Sequence, residues 1–448
     1  MGCTNSVYKK KKKKIVPEIS IFAPILRIPM HSDLQRLLRG FVPSDLADRI
    51  AAIRNQIALV GEDTGGSAVS DLIRALEQYL PLLLGLTKKE YGLQELVEFR
   101  WRELGEEREV RISKLISILF SSRKILELFL RVDDNDDDDD VDDDEQEICV
   151  SNSWFELLCV VHMMAMLTLM EANEKLIPKE SSLSERLVSA DCMRDAVDLL
   201  LKAAGYLNFC VLDVLPRLPQ DLKSRLPSDM QDNVLEAISH QALAQGTELQ
   251  LGLAVHSKNA TLSVKRRLAC EQLSFYAQAH CCLSDKNESN AVLKKQLFFL
   301  KWKHLEAKAA AYYYHSLILD KGTEPSCHLS AVCCVLAAEE LLVESKKACL
   351  TFCLADPITR CPPPWGAMKH LQKKIPETAA KKTQMYTYLL DQEKGLKSLP
   401  ELPEFQLSLK PDEYELPEAD PAWGCGKFGF PEQTLKKHLD HDEKESKS

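Results

Sequence analysis

Residues Ser228 to Leu283 read SDMQDNVLEAISHQALAQGTELQLGLAVHSKNATLSVKRRLACEQLSFYAQAHCCL. Apolar side chains recur every three to four positions through two runs, Ser228 to Val255 and Thr261 to Leu283, and only a short polar break separates them. Two helices this long joined by so short a turn pack side by side as antiparallel neighbours. Ser228 followed by Gln231 has the form of a capping box for the first of them. Outward from this pair the same texture continues, in Ala190 to Leu215, which Pro216 and Pro219 stop, and in Ala291 to Leu319 and Cys327 to Leu354. A row of such helices forms a bundle or a curved solenoid.

Toward the N-terminus, an extended segment from Ile19 to Pro29 precedes a helix starting near Ser32, its N-cap. A Gly-rich turn follows at Gly61 to Ser67, then a helix from Val69 to Leu86, and the spacing predicts a further helix from Leu93 through Trp101 toward Phe129. Trp154 to Met170 is the most apolar run, yet it is short and includes Glu156, His162 and Thr168, so it reads as a buried core helix and not a membrane span. His162 there is expected to be a core residue. Beyond Pro357, Pro362-Pro363-Pro364-Trp365 and the Pro-punctuated stretch Leu399 to Pro421 predict extended chain lying over the helical body, with the triple proline also a possible ligand for a polyproline-reading domain.

Composition supports a helical array. Glycine is sparse, at 17 of 448 residues, and alternating strand patterns are hard to find. The net charge of −10 is concentrated: residues 133 to 147 carry ten Asp and two Glu, and outside that block and one lysine run the chain is close to neutral. No broad basic surface for nucleic acid is expected. Residues 133–147 lack the glycine that an Asp-rich calcium loop needs for its turn, so a solvated, disordered loop is expected there and no metal site. Fifteen cysteines, among them Cys159, Cys210, Cys270, Cys333, Cys334 and Cys349 within apolar helical runs, read as reduced core thiols.

Met1-Gly2-Cys3-Thr4-Asn5-Ser6 fits the pattern for myristoylation of Gly2, Cys3 stands where a palmitoyl chain would enter the same leaflet, and Lys9, Lys10, Lys11, Lys12, Lys13 and Lys14 form an unbroken basic run. A single myristoyl chain binds a bilayer marginally, with a constant of roughly 10⁴ M⁻¹, so a second acyl chain or a polybasic patch is needed for stable anchoring. Each lysine adds about 1 kcal/mol near an anionic leaflet. Ile15-Val16-Pro17-Glu18 breaks any signal-peptide hydrophobic core. The expected organisation is a lipidated tail (1–17), a helical body (18–423) and a charged C-terminal tail (424–448), on the cytoplasmic face of endosomal or plasma membranes with a cytosolic pool.

Motifs of catalysis are missing: neither a phosphate loop, a His-Glu-x-x-His zinc site nor a Gly-x-Ser-x-Gly elbow occurs. A non-enzymatic protein without cofactor, metal or small-molecule substrate is expected. In Thr261 to Leu283, Leu262, Ala269, Leu273 and Tyr276 share one apolar stripe, and Val264, Leu268 and Phe275 share a second on nearly the opposite side. Two apolar faces need two partners, either neighbouring layers of the solenoid or one layer and an outside ligand.

Leu243-Ala244-Gln245-Gly246-Thr247-Glu248 resembles the Ala-Gln signature of the Bro domain, the boomerang-shaped helical domain of Alix and Brox. Ala203 to Phe209, Phe99-Arg100-Trp101, the helix from Ser153 to Asn173, Trp302 to Tyr314 and the Ile375-Pro376 step are similar to that family in the same order, over about residues 18–423. The resemblance implies an all-α fold, a curved solenoid of tetratricopeptide-like helical hairpins with a small β element near the N-terminus. It also implies an adaptor of endosomal (ESCRT) sorting that binds the C-terminal amphipathic helix of a Snf-type ESCRT-III subunit. The family's aliphatic docking pair falls on Val264 and Leu268, which favours an exposed patch, with Phe275 on the same stripe. The family's docking aromatic falls on Gln250 or Leu251, so the patch is altered. A lipid-tethered scaffold for another amphipathic or Pro-rich partner is the alternative.

Overall fold

The structure is a computed structural model and describes residues 18–24, 26–104, 147–177, 188–283, 291–360, 364–392 and 399–424. In chain order the elements are β1 (Arg27–Pro29), α1 (Leu34–Leu38), α2 (Ser44–Thr64), α3 (Val69–Leu86), β2 (Phe99–Glu103), β3 (Glu147–Val150), α4 (Ser153–Leu176), α5 (Ala190–Phe209), a short α6 (Gln220–Lys223), α7 (Asp232–His256), α8 (Leu262–Leu283), α9 (Ala291–Leu319), α10 (Pro325–Leu354), α11 (Gly366–Met385) and α12 (Thr387–Gln392). Each long helix packs on the next in sequence, from α2 to α5, then α7 on α5 and onward to α10, and α11 lies over α7 and α10. This is the expected all-α solenoid of helical hairpins with a small sheet.

Local chemistry sets the boundaries. Asn152 caps α4 by accepting the Trp154 and Phe155 amides at 2.9 and 3.2 Å. Its apolar surface is enclosed on all sides, His162 included, with 89% of its most apolar window buried, although length and composition would let it, the α5 region and α10 cross a membrane. Helix α2 runs through Gly61 and ends at Gly65 in the left-handed conformation (φ 59°), so the turn is shorter than the glycine pattern predicts. Gly61 instead allows β1 to approach: an added Cβ would meet Ile28 Cγ2 at 3.0 Å.

Four sequence expectations are corrected. Residues 93–101 are not helical; Phe99–Glu103 is the central strand of an antiparallel sheet in the order β1-β2-β3, with Arg27 opposite Glu103 and Arg100 opposite Cys149. Phe99 and Trp101 point inward and Arg100 outward, the period of a strand. The N-cap of the first helix is Asp33, which accepts the Arg36 amide, while Ser32 Oγ accepts from Arg54 at 3.0 Å. Ser228 makes no capping box, since Ser228–Met230 is a 3-10 turn and α7 starts later, at Asp232. The acidic block also ends one residue early, because Glu147 begins β3; residues 133–146 lie outside those described, as do Pro362 and Pro363.

The sheet is fastened to the helices by charge. Arg54 on α2 and Glu156 on α4 are fully buried and paired at 2.8 Å, Trp101 Nε1 donates to Glu156 at 2.6 Å, Tyr79 OH donates at 3.1 Å, and Arg54 also donates to the carbonyls of Met30 and Arg100. Desolvation is offset here because every ion has several partners. Arg27 on β1 grips Asp229 with two hydrogen bonds of 2.7 and 2.9 Å.

The C-terminal segment 399–424 is an extended strap, as its prolines predict. It retraces the solenoid backward. Ser408 meets α8, the Asp412 amide donates to the Leu201 carbonyl of α5 at 3.1 Å, Tyr414 stacks edge-on against Tyr206 and Phe209, and the Asp420 amide donates to Pro81 of α3 at 3.0 Å. Arg49 of α2 pairs with Asp420. The strap ends in Trp423, which is 2% exposed, stacks on Tyr91 and donates its indole N–H to the Leu82 carbonyl at 3.0 Å. Two helical glycines make room for it. A Cβ on Gly205 would lie 2.4 Å from the Asp412 carbonyl oxygen, and one on Gly85 would lie 1.9 Å from the Trp423 ring.

Candidate docking surface on helix α8

Helix α8 begins where Thr261 Oγ1 accepts the Val264 amide at 3.3 Å, and it lies between α7 and α9. Its first stripe faces inward: Ala269 and Tyr276 are buried, Leu262 and Leu273 half-buried. The second stripe divides. Val264 is 45% exposed and Leu268 half-buried, whereas Phe275 is sealed in the main core. Leu251 on α7 is sealed too, in a smaller cluster with Ala269 and Leu371. Leu251 and Phe275, which the sequence reading placed on a partner surface, are therefore packing residues. Of the residues read as a docking patch, the structure leaves Val264 and the outer part of Leu268 open.

The strap explains why the stripe closes. Val264, Leu268, Glu271 and Phe275 follow one another at helical spacing on a single face. Glu271 is buried and accepts from Arg267 Nε at 2.6 Å, from the Ser408 amide at 2.9 Å and from Ser408 Oγ at 3.0 Å. Arg267 Nη2 in turn donates to Ser408 Oγ at 2.8 Å, and the Arg266 guanidinium sits 5.7 Å over the Phe405 ring. The strap thus crosses the stripe one turn beyond Leu268. Periodicity shows the shared face; the crossing segment, distant in sequence, had no signal in it apart from the Arg267–Glu271 spacing.

The Leu243–Glu248 motif holds the chain's N-terminal segment. Gln245 donates to the Ser20 carbonyl at 3.3 Å, and Gln241, which sequence reading did not single out, donates to Phe22 at 2.7 Å and accepts from Gln296 at 3.2 Å. Glu248 accepts from Lys303 at 2.7 Å and from Tyr276 OH at 3.1 Å. Burial, then Glu248, pushes the Tyr276 hydroxyl well up, and burial raises Glu306 despite the adjacent Lys303. These shifted groups are occupied in packing contacts between helices. Among the described residues no three His, Cys, Asp or Glu side chains converge as metal ligands. Gly2, Cys3 and Lys9 to Lys14 lie outside the described residues.

A model of the BRO1-like domain matches residues 138–389, more than half of the chain. The chain belongs to the BRO1-like domain family. Among curated proteins it is similar to the pH-response regulator protein palA/RIM20 of Aspergillus oryzae, 33% identical over 129 residues, which is 28% of this chain and 14% of that protein. Among solved structures it is similar to the BRO1 domain of ALIX in a complex with CHMP4C (TM-score 0.59, 16% identity, 90% of this chain and 97% of that one). ALIX in complex with the SIVmac239 late domain gives a TM-score of 0.60 at 15% identity, over 90% of this chain and 50% of that one. A Bro1 domain whose structure addresses endosomal targeting gives 0.53 at 14% identity, over 86% and 93%. At these identities the structural likeness establishes the BRO1-like fold.

Proposed function

We infer that this BRO1-like protein is a non-enzymatic adaptor of the ESCRT pathway in multivesicular-body sorting, which docks the C-terminal amphipathic helix of a Snf-type ESCRT-III subunit on α8. The observation that carries this reading is Val264, a large aliphatic residue 45% exposed and one turn from half-buried Leu268, on a helix whose other large apolar side chains are buried or half-buried. A relative of the same fold is solved with CHMP4C. The acylated Gly2 and Cys3 and the lysine run Lys9 to Lys14 would tether the body to the anionic cytoplasmic leaflet of endosomal or plasma membranes.

An amphipathic helix laid on α8 buries its own i, i+4 apolar residues against Val264 and Leu268. Because Leu251 is buried and the strap closes the stripe at Glu271, the open patch is one turn long, which favours a partner helix with a short apolar stripe. The test is a titration of isolated ESCRT-III C-terminal helices against wild type and Val264→Asp. Loss of binding in the folded variant supports the reading; equal affinity sinks it. Binding of other amphipathic helices alone would favour the scaffold outside ESCRT.

A further inference from the structure

At the C-terminal end of α7, the last helical residue His256 faces the first turns of α11, and between them is a cleft of about 280 Å³ lined by His256, Gly366, Lys369, His370, Lys373 and Lys374. The two helices meet closely there: a Cβ on Gly252 would lie 3.6 Å from the Gly366 Cα. Lys369 and Lys373 stand one helical turn apart on α11, so their ammonium groups share a face. Lys265 of α8 lies outside the lining but near enough for its charge to act on His370. Burial lowers the pKa of His370, and the charges of Lys374, Lys265 and His256 lower it further, with Glu377 alone opposing. Glu377 pairs with Lys374 at 3.0 Å on the outer rim. The cleft therefore gathers three lysines of α11 and two imidazoles, one from α7 and one from α11, around one small space.

We propose that this cleft binds a compact phosphorylated anion of the inositol-phosphate type, presented as a lipid headgroup. Its clustered lysines act as point charges and so favour the anion that concentrates most negative charge in a small volume, a polyphosphate over a single carboxylate. Among the described residues no arginine lines the cleft. Its volume suits one headgroup and not a helix. Location supports the membrane as the source. Ile19 N–H donates to the Arg360 carbonyl at 3.0 Å and Glu18 pairs with Arg360, so the first described residue, to which the basic N-terminal stretch is joined in sequence, lies beside Arg360. Gly366 comes six positions after Arg360, a reach of at most about 20 Å. A tail held at a bilayer brings the cleft to the same headgroups. This inference stands independently of the docking reading on α8.

The test uses unacylated full-length protein, with the lysine run intact, and the variant Lys369→Glu/Lys373→Glu, whose altered side chains are exposed on α11. Probes are soluble inositol hexakisphosphate, phosphatidylcholine vesicles with a phosphatidylinositol bisphosphate, vesicles with phosphatidylserine at equal charge, and an Asp/Glu-rich helical peptide. The expected result is binding of the bisphosphate vesicles and of the soluble polyphosphate, each weakened roughly tenfold or more in the variant with unchanged circular dichroism. Soluble polyphosphate binding without a preference for bisphosphate over phosphatidylserine vesicles keeps the anion class and overturns the lipid source. Vesicle binding equal in wild type and variant assigns it to the tail lysines and overturns the proposal. So does preferential capture of the acidic peptide.

Discussion

Gly85 and Trp423 compete for one volume, so the effect of replacing either depends on the other, and that of Gly85→Ala should change sign. An alanine methyl at position 85 would sit 1.9 Å from the indole, so Gly85→Ala ejects Trp423 from its seat against Tyr91 and Leu82. Losing a buried tryptophan contact costs about 3–5 kcal/mol. Alanine over glycine in a helix returns about 1 kcal/mol, so Gly85→Ala should destabilise by about 2–4 kcal/mol. Trp423→Ala empties the seat directly and should cost about 3–5 kcal/mol. In the Trp423→Ala background the clash is gone, and Gly85→Ala should now stabilise by about 0.5–1 kcal/mol. Urea unfolding of the four proteins closes the cycle. Hydrogen exchange at the Asp412 and Trp423 amides, which donate to Leu201 and Asp420, shows whether the strap lets go before the body unfolds. A Gly85→Ala cost equal in both backgrounds would refute the seating of Trp423 against α3.

Val264→Asp should keep the circular dichroism of the wild type and weaken partner-helix binding roughly tenfold or more, and Leu268→Asp should do the same with some loss of stability from its half-buried position. Wild-type affinity in the folded Val264→Asp protein removes the docking assignment. Gly2→Ala should move the protein from the membrane to the soluble fraction of fractionated cells, and Cys3→Ser should leave binding that salt reverses; full retention of Gly2→Ala contradicts the anchor. His162 is buried among apolar groups and its pKa is lowered to about 4, by desolvation first and by Arg27 against the opposing Asp229. With the unfolded value near 6.5 the native state excludes a proton that the unfolded state binds, so its contribution is complete above about pH 6.5 and falls by about 3 kcal/mol toward pH 4. His162→Leu should flatten the stability profile over that window, and parallel profiles in denaturant titrations would show that another group is responsible. Replacing residues 133–146 with a Gly/Ser linker should change the unfolding free energy by less than about 1 kcal/mol, and a larger loss would mean that the acidic run is docked.

The row of helices from Ala190 onward was legible because helical period and punctuation are local signals, and burial of α4 followed from an apolar run too short and too polar to span a bilayer. The strand at Phe99–Glu103 was not, since five residues of alternating pattern beside helix-forming neighbours become a strand only by pairing with residues 27–29 and 147–150. The same distance in sequence hid the role of Asp229, read as part of a cap region and found gripping Arg27. On α8, spacing identified the stripe containing Val264 and Leu268. It could not show that Phe275 lies sealed within the core or that Glu271, between them, is held by Ser408, more than a hundred residues later. The prolines after Leu399 foretold an extended course but not its seat, for which Gly85 and Gly205 are meaningful only once Trp423 and Asp412 are placed against them.

A stack of helices that touch only their neighbours bends as a sum of small independent rotations, and its ends loosen without reference to the middle. The strap removes that independence. One covalent thread is tied to α8 through Glu271, to α5 through the Leu201 carbonyl, to α3 through the Pro81 carbonyl and to α2 through Arg49, much as a string is tied along a bow. Flexing the row about α5 has to slacken or unhook this thread, so the spacing between the open turn at Val264 and the sheet at the opposite end is limited by one covalent line as well as by contact between faces. Cutting the thread between Asp412 and Asp420 would leave each helix pair intact and free the arc to change its radius.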